Sequence, residues 1–207
     1  MKITENPIRI LLTITALLLL SNGCINLEPQ ADLTKFYILQ ASEETAKSDN
    51  AFHALKENAA VFLGLPIIPE YLNDMRISSQ FGENQIRFSE FDRWAEPLPN
   101  GIQRVMAENL SQKFGTDQIL WTTTGYSQEA THQVEITIIK FGETEGIQVD
   151  LNVAWSISDL EKEEIVHSHK ANYSIPLHTG SVSEVVSAMS QALTDLTEDI
   201  GKELADQ

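Results

Sequence analysis

Few residues in this chain have the type and spacing for chemistry, and the most distinctive is a thiol. Cys24 is the only cysteine among 207 residues. A thiol can be alkylated by a diacylglyceryl donor, which would turn Cys24 into a membrane anchor. His167 and His169 alternate on a segment read as a strand, so they share one face and could meet a metal ion. The same spacing suits two histidines on a strand face with no third ligand, and no metal or cofactor is expected. His132 and His178 could be brought near them, but spacing alone does not place them. The acid pairs Glu43-Glu44 and Glu163-Glu164 sit in polar stretches and read as solvated carboxylates. Gly125-Tyr126-Ser127-Gln128-Glu129 lacks the second glycine of a nucleophile elbow, and there is neither a Gly-rich phosphate loop nor a zinc motif. No enzymatic activity is expected.

The surroundings of Cys24 support the anchor. Lys2 and Arg9 make a basic start diluted by Glu5, and Ile10 to Leu20 is an uncharged run of 11 residues. That length suits the apolar region of a signal peptide and falls short of the roughly 20 residues of a bilayer-spanning helix. Ser21, Asn22 and Gly23 then lead to the cysteine. The arrangement resembles the bacterial lipobox, with two departures. Ser21 stands where an aliphatic residue is usual, and Asn22 is uncommon. An ordinary signal peptide with a spare cysteine and an uncleaved anchor are the other readings. Residues 1–23 are thus expected to be a lipoprotein signal peptide, 24–32 a lipidated tether and 33–207 a periplasmic domain. Ile25, rather than Asp, after the cysteine resembles outer-membrane sorting in Gram-negative lipoproteins.

Removing 1–23 leaves 184 residues, enough for one domain with a core. Lys2, Arg9 and Glu5 leave with that segment, a net +1, so the whole chain's −16 becomes −17. So acidic a chain is unsuited to nucleic acid, whose phosphates demand Lys and Arg, or to electrostatic docking on anionic lipid. Solubility is the simpler reason for the charge.

The elements that must position these residues follow from periodicity. Leu33–Leu39 reads as a first strand and Ala41–Asn50 as a polar loop. Ala59–Ile68 is a near-continuous apolar run, read as a strand buried on both faces and ended by Pro66 and Pro69. Tyr71–Met75 suggests a helical turn. Arg76–Gln80 and Gln85–Phe88 form a predicted hairpin around Phe81-Gly82-Glu83-Asn84. A helix is predicted from an Asn100 N-cap with Gln103 completing a capping box, and Gly115 ends it. Its apolar face holds Ile102, Val105, Met106, Leu110 and Phe114. Ile119–Thr123 is a short strand candidate. Over Ile147–Ser158, Ile147, Val149, Leu151, Val153, Trp155 and Ile157 alternate with polar or small residues, the signature of a long antiparallel strand with one buried face. Val134–Phe141 before it and Glu163–Ile175 after it complete a three-stranded meander. Ser181 and Glu184 make a second capping box, opening a helix whose stripe runs from Val182 through Leu193 and Leu196 to Leu204. The fold class is α/β, more narrowly α+β: a single domain, mainly antiparallel sheet packed against two amphipathic helices.

One stretch is more specific. Phe36-Tyr37-Ile38-Leu39 follows soon after the cysteine, then come Leu65-Pro66, Tyr71-Leu72 and Arg93-Trp94-Ala95-Glu96-Pro97-Leu98, followed by Ile102–Leu110. In this order they resemble the PqiC-type (YmbA-like) ABC transport auxiliary lipoproteins, and the resemblance spans most of the mature chain. Trp-Ala-Glu-Pro-Leu before a helix is its most specific part. The resemblance implies an accessory lipoprotein of an intermembrane lipid transport system. It implies an MCE-domain periplasmic protein and its inner-membrane component as partners, and it allows ring-like homo-oligomers. Read from the residues alone, Trp94 is a core or edge anchor, and Pro97 and Pro99 stop a strand and set the helix entry. Arg93 and Glu96 pair or contact a partner. Two further classes stand beside the transport reading: a periplasmic ligand-binding or scaffolding lipoprotein for envelope assembly, and a hydrolase on a lipid tether.

Overall fold

The computed structural model describes residue 8 and residues 31–42, 55, 59–121 and 130–207. The signal segment, Cys24, most of the 41–50 loop and 122–129 with its elbow-like motif lie outside the described residues. Residues 34–207 form one compact unit.

Eight strands make one mixed sheet: β1 (Lys35–Tyr37), β2 (Val61–Leu63), β3 (Arg76–Phe81), β4 (Gln85–Trp94), β5 (Ile119–Leu120), β6 (His132–Thr144), β7 (Gln148–Asp159) and β8 (Glu164–Pro176). Among the described residues, two α-helices, α1 (Leu98–Phe114) and α2 (Val182–Ala205), and one short 3-10 turn at Glu70–Leu72 accompany these strands. The organising strand is β6. One edge pairs antiparallel with β7 along its length, and β7 pairs in turn with β8. The other edge is divided. Its first residues take β2 in parallel, and β5 lies beyond; its last residues take β3, beyond which come β4 and β1. The sheet is open.

The meander follows its alternation. Val149, Leu151, Val153, Trp155 and Ile157 are buried, as are Val134, Ile136 and Ile138 on β6. Ile147, expected on the buried face, instead precedes the strand and is exposed, because it sits in the turn closed by its N–H on the Thr144 carbonyl. Onto this face packs the stripe of α2, with Val185, Val186, Met189, Leu193, Leu196, Ile200 and Leu204 all buried. A bulge between Ile138 and Lys140 shifts the phase of β6. Ile138 and Phe141 therefore both point inward, while Lys140 turns to the opposite face.

Three expectations are corrected. The Ala59–Ile68 strand is only three residues long. Pro66 has no N–H for the ladder, so pairing lapses and returns as a single bridge from Ile67 to Thr137, leaving Leu65 and Ile67 exposed. The first helix begins three residues early. Its N-cap is Pro97, with no side-chain cap, and Asn100 lies inside the first turn. Pro99 removes one orphan N–H, and Asn100 and Gly101 both donate to the Pro97 carbonyl. Gln103 completes no capping box. It is buried and donates to the Leu63 carbonyl at 2.9 Å, tying α1 to β2. Gly115 ends the helix as expected, in the left-handed conformation at φ 61°.

Candidate functional site

The segment from Arg93 to Pro97 joins the end of β4 to α1, and its side chains are turned to internal tasks. Between its pairings with Ser78 and Arg76 of β3, β4 sets four residues, Ser89 to Asp92, against the single residue Ile77. Such a bulge strands backbone carbonyls. The Arg93 guanidinium answers them, donating to the carbonyls of Ser89 (2.9 Å), Glu90 (2.7 Å) and Asp92 (3.1 Å). The Ser89 hydroxyl closes the loop by donating to the Asp92 carboxylate at 2.6 Å. The next residue, Trp94, is 4% exposed and belongs to the core.

Arg93 and Glu96 do not pair with each other. Glu96 accepts from Arg104, with 2.7 Å to Nη2 and 3.2 Å to Nε, and the same Nη2 donates to the Leu39 carbonyl at 2.8 Å. One guanidinium thus joins the residues following β1, the β4–α1 link and the first turns of α1. Gly101 fits beneath this pair: a Cβ there would meet the Glu96 Oε1 at 3.2 Å. Pro97 is the helix cap. Sequence reasoning missed Arg104, because a residue on an amphipathic helix reads as solvated when its partner is eight positions away.

A second polar centre lies on the sheet face opposite the helices. Asp150 is 8% exposed and accepts from Gln148 (2.6 Å), Ser174 (2.7 Å), Thr144 (2.7 Å) and Lys140 (2.9 Å). Burial pushes its pKa up, but the four donors outweigh this and hold it at about 2. Three strands are stapled by one carboxylate. The alternation hid it, since Asp150 occupies an ordinary outward position and Lys140 reaches it only through the bulge.

At the start of α2, the Ser181 hydroxyl accepts from the Glu184 N–H at 3.3 Å, half of the expected capping box. The Glu184 carboxylate reaches further back, accepting from the N–H groups of His178 (2.7 Å), Thr179 (2.7 Å) and Gly180 (2.9 Å). With the Thr179 hydroxyl foremost, these donors lower its pKa to about 2.

His167 and His169 do share a face, and Trp155 fills the space beside them. The His167 ring stacks on Trp155 with centroids 4.9 Å apart, and its Nδ1 lies 3.1 Å from Glu203 of α2. His132 contacts the Thr131 hydroxyl, and His178 lies beside Glu184. Among the described residues no group of three or more His, Cys, Asp or Glu is placed to hold a metal ion, and no helix is long and apolar enough to cross a membrane.

Two grooves open at the surface. One, of 410 Å³, lies on the open face between Leu65, Ile67, Glu135 and Ser156. The other, of 570 Å³, runs between β1 and α2, bordered by Phe36, Ile38 and the small polar residues Ser183, Ser187 and Ser190. Neither gathers a nucleophile with a base and an acid. The arrangement offers surfaces and staples.

The sequence profile of the ABC-type transport auxiliary lipoprotein component matches residues 37–201. No curated protein sequence matches the chain. Among solved structures, the chain is similar in fold to protein XCC0632 from Xanthomonas campestris, at 12% identity and a TM-score of 0.68, covering 82% of this chain and 94% of that one. A second, uncharacterised protein is similar at 14% identity and a TM-score of 0.66, covering 82% and 97%.

Proposed function

Because the chain belongs to the ABC-type transport auxiliary lipoprotein components, we propose that it is the lipid-anchored accessory subunit of an intermembrane lipid transport system. In this reading residues 1–23 are removed on export, and Cys24 carries the acyl chains. Residues 24–32 tether the domain to the periplasmic face of the outer membrane, as Ile25 suggests. The subunit is non-enzymatic. It docks or guides a conduit built by an MCE-domain periplasmic protein and its inner-membrane partner, and it can self-associate in doing so.

The observation that carries this reading is the extent of the match. It covers nearly all of the folded unit and begins thirteen residues after the lone cysteine. Two or three acyl chains, each methylene contributing about 0.8 kcal/mol, make such an anchor stable. The Arg93–Pro97 motif serves this function from within. Its side chains and Arg104 fix the joint between β4, the residues following β1 and α1. The scaffolding alternative shares the anchor and differs only in partner.

The test is an affinity pull-down of the lipidated full-length protein from its own envelope, with partners identified by mass spectrometry and Cys24→Ala as the mislocalised control. Recovery of an MCE-domain protein, weakened in the control, is the expected result. Correct outer-membrane placement with no transporter component recovered would turn the assignment to an independent scaffolding role.

A further inference from the structure

At the β1 end of the sheet, exposed apolar side chains gather on a chain whose net charge is −16. Phe36 and Ile38, two apart at β1, share one face and are 67% and 45% exposed. The register sets Phe36 beside Arg93 of β4, and Arg93 beside Arg76 of β3, so a single row crosses three strands. Phe91, in the bulge of β4 that precedes Arg93, is also 42% exposed. The charges in the row are already answered. Arg93 is spent on backbone carbonyls, and Arg76 pairs with Asp74 at 2.7 Å while lying 4.3 Å over the Phe88 ring. What remains to meet another surface is apolar.

The position of this patch in the chain identifies what it meets. β1 is the first element of the folded unit, and Thr34 begins only ten residues after Cys24. Ten residues span at most about 35 Å fully extended, and as a coil average roughly 20 Å. The part of the domain that a lipid at Cys24 holds closest to the bilayer is therefore the β1 edge. Aromatic side chains with arginine stems are suited to the headgroup boundary. A second copy adding a strand is a poorer occupant, because β1 offers a ladder of only three residues.

We infer that the face bearing Phe36, Ile38 and Phe91 rests on the surface of the bilayer to which Cys24 is anchored. The inference rests on the lipidation reading and adds a protein–lipid contact to it. Contact is apolar, so it is insensitive to salt and to anionic lipid content. It fixes the orientation of the domain relative to the membrane.

The test uses single reporter cysteines, since acylation of Cys24 leaves the domain free of thiols. Ile38→Cys, and Lys170→Cys on the distant strand β8, are labelled with an environment-sensitive fluorophore. The lipidated protein is placed in phosphatidylethanolamine–phosphatidylglycerol vesicles containing spin-labelled acyl chains, and its mass reports the acylation. In a second arm, Cys24→Ser mature chain is held on the same vesicles through an N-terminal histidine tag and a nickel-chelating lipid. Severalfold stronger quenching at residue 38 than at 170 in both arms is expected, and Phe36→Asp with Phe91→Asp should abolish the difference. Equal quenching at the two sites in the tagged arm would overturn the inference whatever the state of Cys24. So would a spectral change at residue 38 that appears without lipid and grows with protein concentration, since a second copy would then cover the face. Quenching in the tagged arm with no acyl mass on the native chain would remove the anchor and leave the contact standing.

Discussion

The two halves of the sheet are held together by different means. From His132 to Leu204 the chain runs in long regular elements: strands of 12 and 13 residues and a helix of 24. Their cohesion is apolar and repetitive, with one inward residue every second position meeting a helical stripe. From Lys35 to Leu98 the strands are short or interrupted, and the ties run from side chain to backbone. Arg93 binds three carbonyls, Arg104 reaches Leu39, and Gln103 reaches Leu63. In the regular half, backbone pairing runs the length of the strands apart from single bulges at Ile138/Lys140 and Ile157/Ser158, and side chains are free to pack. In the irregular half, bulges and breaks strand backbone groups, and side chains must replace the missing ladder.

The largest effect should come from the regular half. Phe141 is 2% exposed and is turned into the core by the β6 bulge. Phe141→Ala leaves a cavity in the core and should cost about 3–5 kcal/mol, read as a lower denaturant midpoint at unchanged m-value. A loss under about 1 kcal/mol would mean that this core is not the apolar, close-packed one described.

Asp150 sharpens the comparison, being a polar staple inside the regular half. Its folded pKa of about 2 lies below the ordinary carboxylate value. Its contribution is therefore complete above about pH 4–5 and lost as the pH falls through about 2. The depression corresponds to roughly 2 kcal/mol. Asp150→Asn should lower the stability by about that amount at pH 7, and by progressively less toward pH 2. Parallel wild-type and variant curves over that range would show that the four donors do not recognise the charge.

This division also governs what could be read from the sequence. The alternation of Val149 to Ile157 and the stripe of α2 were legible because many residues repeat one period, and one exception, such as Ile147 in its turn, does not erase it. The Trp94 burial was legible from side-chain size. The bulges at Ser89–Asp92 and Ile138–Lys140 were not, since the residues in them have no preference that distinguishes a bulge from a continuing strand. Everything that depends on a bulge was hidden with it: the role of Arg93, the inward turn of Phe141 and the arrival of Lys140 at Asp150. The Asn100 cap failed because a favourable capping residue competes with two prolines, and the prolines start a helix without it. The reading of Cys24 as the lipidated residue rests on its leader alone and lies outside the described residues.

The smallest effect tests the irregular half most closely. Gly101 sits inside α1, where alanine would ordinarily gain up to about 1 kcal/mol in helix propensity. Here the new Cβ would stand 3.2 Å from the Glu96 Oε1, an oxygen pinned by two bonds from Arg104. The carboxylate can retreat only by stretching those bonds, so the gain and the loss should nearly cancel, and Gly101→Ala alone should change stability by less than about 0.5 kcal/mol. In a Glu96→Ala background the obstacle is gone and the propensity returns, so the same substitution should stabilise by up to about 1 kcal/mol. Chemical denaturation of the four proteins in this cycle measures the coupling directly. Additive effects would mean that Glu96 is free to move, that Arg104 does not hold it, and that the joint at the Trp-Ala-Glu-Pro-Leu motif is looser than the strands it connects.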